Sequence, residues 1–237
     1  MKNGQTYYPI ANPQHTVLLG GQPGVGKSRL IEPLIGAFLS KSSEASMFRW
    51  VGDRSKRSVI LVETEQPEDL IQAARDRIQK YSGLASKDFN KRFITLPVSE
   101  VKGGLERREV IREKTRSMEG SLGLLIIDNL TGVVNNVNSE VEATEINHLV
   151  SMTSKSTNCI SILISHLTNS DKSPLGHVGK YSARDCSSHF NLLKDSFSGI
   201  TLIQKVKNRL DSNIPDYHFT VSKESGIVVP GVYMPFP

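Results

Sequence analysis

Residues 21–28 read Gly21, Gln22, Pro23, Gly24, Val25, Gly26, Lys27, Ser28: a G-x-x-x-x-G-K-[ST] octapeptide, complete at every defined position. Before it stands the apolar run from Thr16 to Leu19, and after it the amphipathic run SRLIEPLIGAFLS. A strand, a glycine-rich turn and a helix in that order form a concave cradle of backbone N–H groups. Gly21, Gly24 and Gly26 let that backbone approach an anion without side-chain obstruction. The helix starting near Ser28 directs its positive end at the same point. Lys27 can reach terminal phosphates, and the Ser28 hydroxyl can ligate magnesium. The octapeptide therefore predicts a site for a nucleoside triphosphate, with ATP and Mg2+ as the expected ligands.

The rest of the chain alternates short apolar runs with longer helical stretches, which predicts an α/β fold with a mostly parallel central sheet. Strands are expected at Thr16–Leu19, Val59–Thr64, Phe93–Leu96, Leu124–Ile127 and Cys159–Ser165. Helices are expected after the turn, through EDLIQAARDRIQKY, through LERREVIREKTRSM and over Glu142–Ser154. The unbroken run at Leu124–Ile127 suits a central strand covered on both faces. From Thr168 to about Asp195 the chain is polar, with Gly176, Gly179 and several basic residues, and no element is assigned. Strands near Gly199–Lys205, Tyr217–Val221 and Ile227–Val229, separated by turn signals, predict an antiparallel meander at the sheet edge. Nothing resembling a linker divides residues 1–237, so one domain is expected.

In open α/β sheets, ligands bind beyond the carboxyl ends of the strands. Four polar features end four predicted strands: the octapeptide, Glu65, Asp128 and His166. Asp128 is placed to hold a metal-bound water opposite Ser28. Glu65 is the candidate base for an attacking water, with Glu63, two residues earlier, as its rival. Taken alone, His166 reads more often as a structural histidine, and the following LTNSDK brings the functional reading level with it.

Charge and cysteine content narrow the setting. A net charge of +5 and a pI near 9.2 permit a nucleic-acid partner without requiring one. Two cysteines, Cys159 and Cys186, are too few for a disulfide framework or a zinc site, so a reducing cytoplasm is expected. No apolar run reaches membrane-spanning length, and the first residues, MKNGQTYYPI, lack the layout of a signal peptide.

The succession GQPGVGKS, VETEQ, LLIIDN, ILISHL and KVKNRL resembles the RecA-like hexameric replicative helicases of DnaB type. The helicase half of phage primase-helicases and of Twinkle is the nearest in pattern. The resemblance spans about residues 16–230 and implies a RecA-like P-loop NTPase core with antiparallel C-terminal strands. It implies catalytic roles for Lys27 and Glu65, and γ-phosphate sensing by His166. Lys207 and Arg209 align with the basic pair that such proteins insert into the neighbouring subunit's ATP site. It further implies a homo-oligomer, a hexamer in that family, acting on single-stranded DNA with replication partner proteins in a phage or mobile-element setting. Within SDKSPLGHVGKYSARD, Lys172, Lys180 and Arg184 fall where the family places a mobile DNA-contacting loop. The following DCSSHFNLL departs from the family's Arg-Gly-Ser-like segment. A recombinase-like DNA-filament ATPase and an ATP-gated loader remain open beside the helicase-like motor.

Overall fold

The computed structural model describes residues 8–42, 44–45, 47–51, 57–170, 172–222 and 224–231. The amino-terminal residues read above for a signal peptide lie largely outside this range.

Nine strands form one sheet. Its parallel part contains β1 (Thr16–Gly21), β4 (Ser58–Glu63), β5 (Phe93–Pro97), β6 (Leu122–Asp128), β7 (Ile160–Ser165) and β8 (Ser188–Lys194). The antiparallel strands β9 (Thr201–Asn208), β10 (Tyr217–Val221) and β11 (Val228–Pro230) continue it on one side. The spatial order is β11-β10-β9-β8-β1-β7-β6-β4-β5, so β1, β7 and β6 lie inside the sheet. A separate two-stranded hairpin, β2 (Glu44–Ala45) with β3 (Phe48–Arg49), was not foreseen from the sequence.

Side-chain alternation along the strands divides the core into two layers. Val17 and Leu19 of β1 and Leu124 and Ile126 of β6 face α1 (Lys27–Leu39), α2 (Glu68–Ser82) and α3 (Ser86–Arg92), where Leu30, Ile35, Phe38, Ile78 and Phe89 receive them. Leu18, Leu125 and Ile127 face the opposite layer of α4 (Gly104–Ser117), α5 (Glu140–Thr157) and α6 (Gly176–Asp185). All seven residues of β6 are buried, as its apolar run required. Local signals fix the helix ends: Ser139 accepts from the Glu142 N–H at the start of α5, while Gly83 and Asn158 take left-handed conformations just after α2 and α5.

The sequence reading needs correction between Thr168 and Asp195, which is no unassigned loop. It holds helix α6 and β8, a parallel strand paired directly with β1. Tertiary contacts override the local signals here. Gly179 is needed because a Cβ there would stand 2.8 Å from the Pro174 Cβ, and Ser182 is buried with its hydroxyl donating to Asn147 at 3.0 Å. In β8, Ser188 is buried because its hydroxyl donates to the Ile10 carbonyl at 2.6 Å. The C-terminal meander is found as expected.

Candidate functional site

Because β1, β4, β6 and β7 are parallel neighbours, their carboxyl ends share one rim. The turn leaving β1 passes through Gly24 at φ 77° and Gly26 at φ 96°, left-handed values that suit residues without Cβ. Gly26 is the N-cap of α1, and no side chain among the described residues caps this end. The first N–H groups of a helix have no partner within it, so they are open to an anion. Val25 is buried in the core beneath the turn, and its carbonyl accepts from Thr201 Oγ1 of β9 at 3.0 Å. Pro23 is exposed. The Gln22 side chain turns away from the cradle and donates to the carbonyls of Leu167 (2.7 Å) and Thr168 (2.9 Å), fastening the turn to the segment after His166.

Lys27 is buried, and its Nζ donates to the carbonyls of Gly21 (2.7 Å) and Gln22 (2.9 Å). Burial pulls its pKa below the ordinary lysine value, against the opposing pull of Asp128 and Glu65. Ser28 Oγ donates to Asp128 Oδ2 at 2.7 Å across one hundred residues of sequence. Glu63 ends β4 in register with Asp128 on β6. Burial, and then the Asp128 charge, push the Glu63 carboxyl up to about 8; burial raises Asp128 as well.

These residues fit a polyphosphate and a divalent cation. The cradle is uncapped, a cationic side chain closes it, and two neighbouring carboxyls are under electrostatic pressure that a cation would relieve. No group of three or more His, Cys, Asp or Glu side chains converges as a metal site among the described residues. Ser28 and Asp128, bonded to each other at the rim, are the side chains that could face a divalent cation alongside phosphate oxygens.

Beyond β4, Glu65 leans over the same rim. Its Oε1 accepts from Asn129 Nδ2 at 2.5 Å and lies 3.8 Å from His166 Nε2. Asn129 Nδ2 also stands 3.0 Å from His166 Nε2. Burial, followed by the Lys27 charge, lowers the His166 pKa, which favours a neutral ring; its Nε2 accepts from Asn129 in the tautomer protonated at Nδ1. The structure therefore gathers the octapeptide, Asp128, Glu63, Glu65 and His166 at one place. Asn129 was not singled out in the sequence.

Lys207 and Arg209 do not join this group. β9 starts beside the phosphate turn at Thr201 and runs antiparallel to β8, carrying both cations to the opposite end of the sheet. There Lys207 Nζ donates to the Ala183 (3.2 Å) and Arg184 (2.9 Å) carbonyls, and Arg209 Nη2 to the Arg184 carbonyl (3.5 Å). Arg184 and Lys180, read above as part of a mobile loop, lie on α6. The Arg184 guanidinium sits over the Tyr181 ring at 4.6 Å and bonds Asp185. Its position at the end of α6 groups Arg184 with the Lys207/Arg209 pair.

Fold and site together define a RecA-like phosphate-loop ATPase core. The chain belongs to the AAA domain family AAA_25, which matches residues 7–172. Among solved structures, the crystal structure of the RadB recombinase matches with a TM-score of 0.63 at 20% identity, covering 92% of this chain and 91% of that one. A second solved structure, an ATPase domain, matches with a TM-score of 0.61 at 15% identity, covering 92% and 85% respectively. No match is found among curated proteins. No helix among the described residues is long and apolar enough to cross a membrane.

Proposed function

We propose that the chain is an ATP-hydrolysing, oligomeric motor that acts on single-stranded DNA, in the manner of replicative helicases. The observation that carries this reading is the separation of Lys207 from the phosphate turn of its own chain. Thr201 touches that turn, and Lys207 lies six residues further along a strand, roughly 20 Å away at about 3.3 Å per residue. At that distance the pair does not reach its own chain's site, which supports service to another copy; a head-to-tail contact between different surfaces generates a ring or a filament. The family resemblance favours a hexameric ring, and the net charge of +5 suits a polyanionic track.

Bound ATP with magnesium supplies the reacting phosphoryl group and much of the charge that steadies it. Lys27, now on the Gly21 and Gln22 carbonyls, would turn to hold phosphate oxygens, and Ser28 with Asp128 would hold the cation, which would supply charge to offset that of the phosphates. Glu65 takes a proton from the attacking water at its carboxylate, and His166 registers the terminal phosphate. Arg209 and Lys207 enter from the neighbour to offset charge in the transition state; such arginines are worth about 10³–10⁵ in rate.

The test is hydrolysis by wild type, Lys27→Ala and Arg209→Ala at low salt, with and without single-stranded DNA. DNA should stimulate the wild type, and each variant alone should be inactive. Mixing the two variants should restore activity, because some interfaces then pair an intact Lys27 with an intact Arg209. Polar translocation by the stimulated enzyme marks a helicase-like motor, whereas strand pairing marks a recombinase. Nucleotide binding with no DNA-dependent turnover overturns the motor and favours an ATP-gated loader.

A further inference from the structure

Asn129 immediately follows Asp128, is 2% exposed, and uses every polar atom it has. Its backbone N–H donates to Thr64 Oγ1 at 2.9 Å. Its Oδ1 accepts from the Gly132 N–H at 3.0 Å and from Thr131 Oγ1, capping the 3₁₀ turn Leu130–Val133. These contacts decide which way the amide faces: Oδ1 points to the turn, so Nδ2 must point over the rim. An amide nitrogen carries two hydrogens: Glu65 Oε1 accepts one, and His166 Nε2 accepts the other in the tautomer protonated at Nδ1. Glu65 Oε1 is 2.5 Å away and His166 Nε2 3.0 Å away. Glu65 follows β4 and His166 follows β7, the strands on either side of β6. The side chain at the end of the middle strand therefore spans the gap between its two neighbours.

We propose that Asn129 is a positioning residue for hydrolysis, holding the Glu65 carboxylate in place and tying it to His166 through one amide. This rests on the hydrolytic reading of the site and adds a dependence that reading does not contain. A shift of His166 is passed to Glu65 through Asn129, so sensing and base placement form one unit. Glu65 is about half exposed at its side chain, and without the amide its carboxylate can turn into solvent. A misplaced base costs turnover while leaving the phosphate cradle intact.

Asn129→Asp separates this role from simple capping. The substitution keeps shape and the Oδ1 acceptor for Gly132, but removes both hydrogens and sets a negative charge against Glu65. Steady-state hydrolysis of the full chain should show kcat reduced about 10²-fold, with KM and fluorescent-ATP affinity within about threefold of wild type. In a Glu65→Gln background the same substitution should add less than about threefold, since the group it positions is already lost. Thr131→Val, which loosens the amide without touching Glu65, should lower kcat about three- to tenfold at unchanged KM. If Asn129→Asp folds poorly, by melting temperature, Thr131→Val carries the test alone. Wild-type kcat in Asn129→Asp, or in Thr131→Val when that variant stands alone, overturns the proposal. So does full multiplication of the Asn129→Asp and Glu65→Gln losses. If Lys27→Ala hydrolyses ATP as well as wild type, the hydrolytic reading itself falls, and the positioning role falls with it.

Discussion

The two ends of the sheet are built on different terms. At the carboxyl end of β1, β4, β6 and β7, side chains bond side chains: Ser28 to Asp128, Asn129 to Glu65 and His166. At the other end, Lys207 and Arg209 rest on the last carbonyls of α6. Cations at a helix C-terminus are held favourably but weakly, typically by less than about 1 kcal/mol each at the surface. The first arrangement fixes its acidic and amide side chains before any ligand arrives, while Lys27 rests on carbonyls there as the distant cations do. The second parks its groups where a stronger anion can draw them away. The proposed trans action of Lys207 and Arg209 would use this contrast, with weakly held cations on one face and a preformed rim on the other.

The largest expected effect separates the two acidic candidates at that rim. Glu65→Gln should lower ATP turnover by about 10²–10⁴-fold while nucleotide still binds, because it removes a proton acceptor and little else. Glu63→Gln should act differently. Its carboxyl is buried beside Asp128 and pushed up to about 8, so at neutral pH folding must bind a proton there; a permanently neutral amide avoids that cost and should raise the melting temperature without added metal. Thermal melts and turnover of the two variants check this. A larger turnover loss in Glu63→Gln than in Glu65→Gln would exchange their roles.

How legible this was in advance follows the same geography. The rim could be read because each of its groups sits where an apolar run stops, and a parallel sheet places such stops side by side. Glu65, Asp128 and His166 needed only that rule. Asn129 could not be found that way, since its role depends on β4 and β7 flanking β6, an order the sequence does not display. Nor could β8. SHFNLLK mixes polar and apolar residues, and its burial depends on partners such as Ile10, far away in the chain. The two glycines of α6 argued for a loop, although Gly179 is there to let Pro174 approach.

The opposite end carries a pH-dependent signature of its own, centred on one histidine. His189, in register with Lys207, is buried, and its Nε2 has no hydrogen-bond partner among the described residues. Burial brings its pKa down to about 4, with Asn191 opposing and Lys207 assisting the shift. The folded chain thus keeps the ring neutral, while the unfolded chain takes up a proton near 6.5. Stability from this residue is complete above pH 6.5 and is lost as pH falls toward 4. The loss amounts to roughly 1–3 kcal/mol. Denaturant melts of wild type and His189→Gln across pH 4–7 should converge at the acid end. Parallel curves would mean that His189 contributes nothing to acid lability.

Gln22 should give the smallest effect, and it tests whether the rim acts as one body. Its amide holds the phosphate turn to the Leu167 and Thr168 carbonyls, just past His166, through bonds between the protein's own groups. A neutral hydrogen bond contributes about 0.5–1.5 kcal/mol, so Gln22→Ala should cost the fold about that much or less, since solvent can replace the amide. Its effect on turnover should be about two- to fivefold, and larger in the DNA-stimulated rate than in the basal rate. That asymmetry follows if the segment after His166 reports DNA to the phosphate turn, because Gln22 is a direct link between them. Equal reductions in both rates would make Gln22 a brace for the turn alone, leaving Asn129 as the link between the rim's strands.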